Sequence, residues 1–327
     1  MLWITWEVQR RNRTLSRRFG AELHEILAKG SRFGRYISCA ARTVDVIRRR
    51  RPDVLIVQSP SVFLGLIAVT VGRLWCARIV IDAHNAGVFP LEGRSAFLNW
   101  VCRSILKSSD IAFVSNDELQ SKLGLENVQV LPDPLPGLLE TGAADSGAAP
   151  AGSEDSSRAG EFRATYITSW AADEPYEAVM ESAGLLPDGF QIRITGRVPT
   201  EVLRRGPLPS ALHLLGYLDE ATYVAELRSA DLILVLTTRE SCLTCGAYEA
   251  VSLRKPLLLS RTKALEDYFG TAASYIENCA VEISRAILES RPRIGEMQRN
   301  AVQASERLES AWEQKFFKIK AIVFGPE

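Results

Sequence analysis

The sequence predicts an α/β protein made of two doubly wound, Rossmann-like domains. Short apolar runs alternate with segments of helical period along almost the whole chain. Those runs are too apolar to leave one face wet, which is the mark of parallel strands covered by helices on both sides. A break in composition near the middle divides the alternation into two series. At 327 residues the chain suits two cores better than one.

In the first series, 2–6, 54–58, 78–81, 111–114 and 128–131 read as strands. Helical patterns at 14–27, 35–50, 63–75 and 96–107 lie between them. Residues 1–136 therefore form one domain. The stretch 137–160, GLLETGAADSGAAPAGSEDSSRAG, is rich in Gly, Ala and Ser with no apolar period and reads as a flexible linker.

The second series, 161–295, offers strands at 164–167, 191–195, 212–215, 232–236, 257–259 and 274–276. Helices at 176–185, 222–229, 248–253 and 281–288 separate them. A long amphipathic segment, 296–327, closes the chain with Trp312, Phe316, Phe317 and Ile319. Two such halves would face one another across a cleft between strand ends, a usual place for a ligand.

Composition narrows the function. The chain balances 39 Lys+Arg against 39 Asp+Glu, so it has no overall attraction for nucleic acid. Residues 1–51 differ, with thirteen Lys/Arg against four acids. That excess, including Arg10, Arg11, Arg13 and Arg48 to Arg51, suits an anionic lipid surface or a lipid pyrophosphate, although charge runs also form plain solvated helix faces. The longest apolar run, 62–71, is short of the ~20 residues that span a bilayer, so membrane contact would be peripheral. Six scattered cysteines and no recognisable secretory leader fit a reducing cytoplasm. Cys242 and Cys245 form a lone C-x-x-C with no partner pair, read as incidental.

The most informative stretch is 231–260, DLILVLTTRESCLTCGAYEAVSLRKPLLLS. It reads as strand, polar loop, helix start and strand. In a doubly wound sheet such a loop lies at the carboxyl edge, where nucleotides bind. Thr238, Glu240, Ser241, Thr244, Gly246 and Ala247 surround the helix start, and their hydroxyls and amides suit a phosphate or, equally, a simple N-cap. Glu249 could accept from ribose hydroxyls, or be a first-turn acid favoured by the helix dipole. Gly196 and Arg197 leave the 191–195 strand, where a guanidinium could grip a diphosphate. In the first half, IVIDAHNAG delivers Asp82, His84 and Asn85 to a strand end. His84 is the candidate catalytic group, as a sugar hydrogen-bond donor or proton carrier, with a structural turn as the alternative.

Together these blocks resemble the family-4 glycosyltransferases of the GT-B fold, especially bacterial enzymes of surface-polysaccharide assembly. The resemblance rests on RPDVLIVQSPSVFLGLIA, IVIDAHNAG and VQVLPDPLP, then ITGR, LHLLGYLDEATYVAELRSADLILVLTT, YEAVSLRKPLLLS and ALEDYF. It implies sugar transfer, with retention, from a nucleoside diphosphate sugar to a lipid-linked or saccharide acceptor. No cofactor is implied. No metal is implied either, and the cleft blocks hold no Asp-x-Asp. Glu249 would match the second acid of the Glu-x7-Glu signature, His84 the histidine near the transferred sugar, and the last segment a helix crossing back to the first domain.

The chain departs from that pattern at several places. Eight residues separate Glu240 from Glu249, so Ser241 takes the first acid's position. Arg254 replaces a glycine before Lys255-Pro256, and the first strand lacks a Gly-Gly turn. The phosphate-binding lysine expected after the 164–167 strand is replaced by TSWAADEPYE. A non-catalytic subunit of the same fold and a nucleotide-sugar epimerase stay open as alternatives. The lack of G-x-G-x-x-G weakens a dinucleotide enzyme.

Overall fold

The computed structural model describes residues 1–59, 61–76, 78–83, 85–138 and 160–325. These fall into two compact units, Met1–Pro134 with Ala311–Glu327, and Leu135–Ser310. Each carries one six-stranded parallel sheet.

In the first unit the elements are β1 (Leu2–Thr5), α1 (Arg10–Phe19), β2 (Glu22–Glu25), α2 (Arg32–Arg50), β3 (Val54–Ser59) and α3 (Val62–Thr70). They continue as β4 (Arg78–Ala83), α4 (Asn85–Val88), α5 (Ala96–Ser108), β5 (Ile111–Val114), α6 (Asp117–Leu123) and β6 (Val128–Val130). The strand order is β2-β1-β3-β4-β5-β6. Alternation along each strand feeds two cores. Leu2, Ile4, Leu55, Val57, Ile79 and Ile81 join the core under α2, α3, α5 and α6. Trp3, Ile56, Val80 and Phe113 meet α1 and the last turns of the terminal helix through Phe19, Trp312 and Phe316.

The second unit runs β7 (Phe162–Tyr166), α7 (Tyr176–Ala183), β8 (Phe190–Thr195), α8 (Thr200–Leu203), β9 (Leu212–Gly216) and α9 (Glu220–Ser229). It goes on with β10 (Leu232–Val235), α10 (Cys245–Ser252), β11 (Leu257–Ser260), α11 (Lys263–Phe269) and β12 (Ser274–Ile276), before α12 (Ala280–Phe324). Its order, β12-β11-β10-β7-β8-β9, reverses direction between β7 and β10. In doubly wound sheets such a switch point is where a crevice forms at the carboxyl ends of the two strands.

Four features differ from the sequence expectation. The helix expected over 14–27 ends at Phe19, because Gly20 takes the left-handed conformation at φ 70°, and Glu22–Glu25 becomes an edge strand paired to β1. α10 starts at Cys245, three residues early. The 281–288 and 296–324 helices are one 45-residue helix that runs through Pro292. Short α4, α6, α8 and α11 were not foreseen. The 137–160 linker falls mostly outside the described residues.

Candidate functional site at the β7–β10 crevice

α10 is pressed onto the switch point. A Cβ on Gly246 would lie 3.0 Å from Ile167 Cγ2, just past β7, and 3.2 Å from both Val235 methyls at the end of β10. Glycine here is a packing requirement that lets the helix head approach both strand ends. Ala247 is fully buried beneath it. The Ala247 amide returns to the Thr244 carbonyl at 3.1 Å, while earlier amides of a helix head have no acceptor within the helix. Thr244 is the N-cap residue, yet its side chain makes no capping bond. Its Oγ1 is buried and without a partner among the described residues. A buried hydroxyl without a partner is costly, and here it stands beside a helix head suited to anions.

One turn into α10, Glu249 is half-buried and accepts a 2.6 Å hydrogen bond on Oε2 from Tyr223 Oη of α9. Tyr223 was not singled out from sequence, since a tyrosine in a helical pattern reads first as packing. Thr238 and Glu240 are exposed on the β10–α10 loop, and Ser241 is half-buried there. Thr238 donates through both its amide, at 2.7 Å, and its hydroxyl, at 3.2 Å, to the Asp173 carbonyl. Arg239, also overlooked, reaches Asp173 at 3.3 Å.

The loop after β7 is organised by carboxylates. Glu174 accepts from Thr168 Oγ1 at 2.7 Å, from the Ser169 amide at 3.0 Å and from the Ala171 amide at 2.8 Å. Here the chain supplies its own anion, so the amides facing Glu174 are already used. Gly196 lies under this loop: at φ 90°, its Cβ would fall 2.2 Å from the Thr168 carbonyl. Arg197 is exposed next to it, its guanidinium 5.9 Å from the Tyr217 ring. The predicted residues of this unit thus share the carboxyl edge of one sheet, with Gly196, Gly246 and Ala247 shaping it from below.

The first unit is different. His84 lies outside the described residues. Arg10 is exposed, and Arg13 makes a 2.8 Å ion pair with Glu25. Arg11 is buried, contrary to its expected place on an acceptor or membrane side. Its guanidinium binds Asp82 at 2.7 and 2.9 Å, Asp133 at 2.6 Å and the Leu131 carbonyl at 2.9 Å. Burial opposes the charge, but Asp82 and Asp133 outweigh it and raise the Arg11 pKa above its ordinary value. Asp82, at the end of β4, is held in this lock. A cavity of about 270 Å³ at the ends of β1 and β3 is lined by Trp6, Glu7, Arg35, Tyr36, Gln58 and Ser61, among others. Gln58 is fixed beneath it, accepting from Thr5 at 2.7 Å and from Asn12 at 2.6 Å.

No protein-family model and no curated protein matches the chain. Solved structures do. A glycosyltransferase from Rickettsia africae superposes with a TM-score of 0.69 at 9% identity, over 99% of this chain and 90% of the other. HepE of Anabaena, in complex with UDP and glucose, gives 0.69 at 12% identity, covering 97% and 90%. Sucrose-phosphate synthase from Thermosynechococcus elongatus gives 0.69 at 12%, covering 91% and 82%.

The chain has the GT-B fold. The β7–β10 crevice lies in the later of its two sheets in chain order, and the Trp6–Tyr36 cavity in the earlier one.

Proposed function

We propose that this GT-B chain is a glycosyltransferase that draws its sugar from a nucleoside diphosphate sugar held at the β7–β10 crevice. The observation that carries the reading is the helix head of α10 at the switch point, with Thr244 Oγ1 unpartnered and Glu249 held by Tyr223. Glu249 would accept from the ribose hydroxyls, and the helix head would face the diphosphate. UDP or UDP-glucose in solved structures of the same fold supports this choice of donor.

During transfer the anomeric carbon becomes cationic and the diphosphate gains charge. Amides at the α10 head, with Arg197 and Arg239 on neighbouring loops, supply stabilisation where that charge develops. An acceptor hydroxyl must be placed within reach of the anomeric carbon, and water kept away. The acceptor we favour is lipid-linked or a saccharide, as in polysaccharide assembly, with retention of configuration. His84 is the proposed group beside the transferred sugar. The chain would work in the cytoplasm, in peripheral contact with an anionic membrane.

The test is turnover. The protein is incubated with UDP-, GDP-, ADP- and dTDP-sugars, with and without lipid-linked and saccharide acceptors, and released nucleoside diphosphate is measured. Acceptor-dependent release from one donor supports the reading. A second reading, a non-catalytic subunit, is favoured by Asp173 and Glu174 standing after β7 where a phosphate-binding base was expected. It predicts saturable nucleotide binding with no release under any of these conditions.

A further inference from the structure

Six large apolar side chains stand in solvent on three neighbouring helices of the first unit. They are Phe33 and Ile37 on α2, Phe63 and Leu66 on α3, and Phe97 and Trp100 on α5, each between 45% and 77% exposed. The pairs are spaced three or four residues apart, so each forms a stripe on one side of its helix. α3 packs against both α2 and α5. The Tyr36 and Phe63 rings lie 5.2 Å apart, and the Phe97 and Trp100 rings 6.3 Å. All six residues fall in the first turns of their helices. In a parallel sheet with helical crossovers, those turns lie at the carboxyl edge of the strands. The Trp6–Tyr36 cavity opens at the same edge, with Arg35 and Tyr36 in its wall.

Single exposed apolar residues are ordinary. Several large ones on the same edge of neighbouring helices mark an interaction site. Its charge surroundings choose the occupant. α3 and α5 contain no acid, and the one acid of α2, Asp45, is bonded to Arg49 at 2.8 Å. Of the basic residues of these helices, Arg32 and Arg35 belong to the amino-terminal turns of α2, and the others lie further along α2 and α5. Lys29, Arg35 and Arg94 are exposed near the aromatic turns. Aromatic side chains flanked by Lys and Arg suit the headgroup layer of an anionic bilayer. No helix among the described residues is long and apolar enough to cross a membrane.

We propose that the amino-terminal turns of α2, α3 and α5 dock on an anionic lipid surface, which brings the Trp6–Tyr36 cavity to the bilayer. Arg48 to Arg50, to which the sequence pointed, close α2 about 22 Å further along the helix axis. Arg49 and Arg50 are already paired there, with Asp45 and Glu22. This surface gives a place to the lipid-linked acceptor of the proposed function, but rests on separate residues from the donor site.

The full chain is sedimented with vesicles of phosphatidylcholine alone or mixed with phosphatidylglycerol. The same is done for Phe33→Ser/Phe63→Ser/Trp100→Ser and for Trp100→Lys alone, with melting temperatures checking that each variant folds. Binding should require phosphatidylglycerol and fall roughly tenfold or more in the triple variant, and measurably in Trp100→Lys. Nucleotide-induced thermal shifts should persist in both, so failure of the donor reading registers separately. Absence of wild-type binding, or equal binding by the triple variant, would overturn the proposal. So would a wild-type dimer that the triple variant turns into monomers without vesicle binding, since the edge would then meet a second copy.

Discussion

Tyr223 Oη donates a 2.6 Å hydrogen bond to Glu249 Oε2, joining α9 to the first turn and a half of α10. The bond restrains the carboxylate proposed to accept from a ribose. Tyr223→Phe should weaken nucleotide binding roughly three- to tenfold, in line with a hydrogen bond to a charged group acting at one remove. Glu249→Gln should weaken it more. Calorimetric titration of both variants checks the order.

Thr244 offers a cleaner separation of binding from folding. Its buried Oγ1 has no partner among the described residues, so Thr244→Val removes an unsatisfied group while keeping the shape. Stability should hold or rise by about 1 kcal/mol, while nucleotide affinity falls. Denaturant unfolding and nucleotide titration of the same preparation test both halves.

The two glycines Gly87 and Gly20 should behave oppositely in severity. A Cβ on Gly87 would fall 1.6 Å from the Ser59 carbonyl oxygen, a backbone atom that cannot move aside cheaply. A Cβ on Gly20 would meet nothing within 4 Å, and only its φ of 70° resists substitution. Gly87→Ala should cost more than about 3 kcal/mol or prevent folding, and Gly20→Ala about 1 kcal/mol. Urea midpoints distinguish them.

The Arg11 lock predicts a stability effect in the first unit. Arg11→Ala removes the buried guanidinium that pairs with Asp82 and Asp133, a loss of roughly 3–5 kcal/mol. The midpoint of chemical unfolding should fall while any nucleotide site in the second unit keeps its affinity in the folded protein.

Most strands were legible because parallel strands buried on both faces are nearly unbroken apolar runs, as in LILV of β10 and LLLS of β11. β2 was not, because an edge strand reading ELHE carries no such signal. The strand–loop–helix order at α10 was legible from its loop, glycine and acid in order. Tyr223 was hidden because its partner lies 26 residues away in sequence. Arg11 was misplaced for the same reason: a basic run looks solvated until Asp82 and Asp133, both distant in sequence, are brought to it. Where a glycine was expected, Arg254 takes the left-handed conformation at φ 56°. Lys255 beside it donates to the Ala230 carbonyl at 2.8 Å, and burial lowers its pKa despite Asp231.

Binding of a nucleoside diphosphate at the α10 head is tested by isothermal titration of UDP, GDP, ADP and dTDP into the wild type and Glu249→Ala. Saturable binding of at least one is expected, weakened roughly tenfold or more in the variant. No binding by any of the four, or undiminished binding by Glu249→Ala, would contradict it.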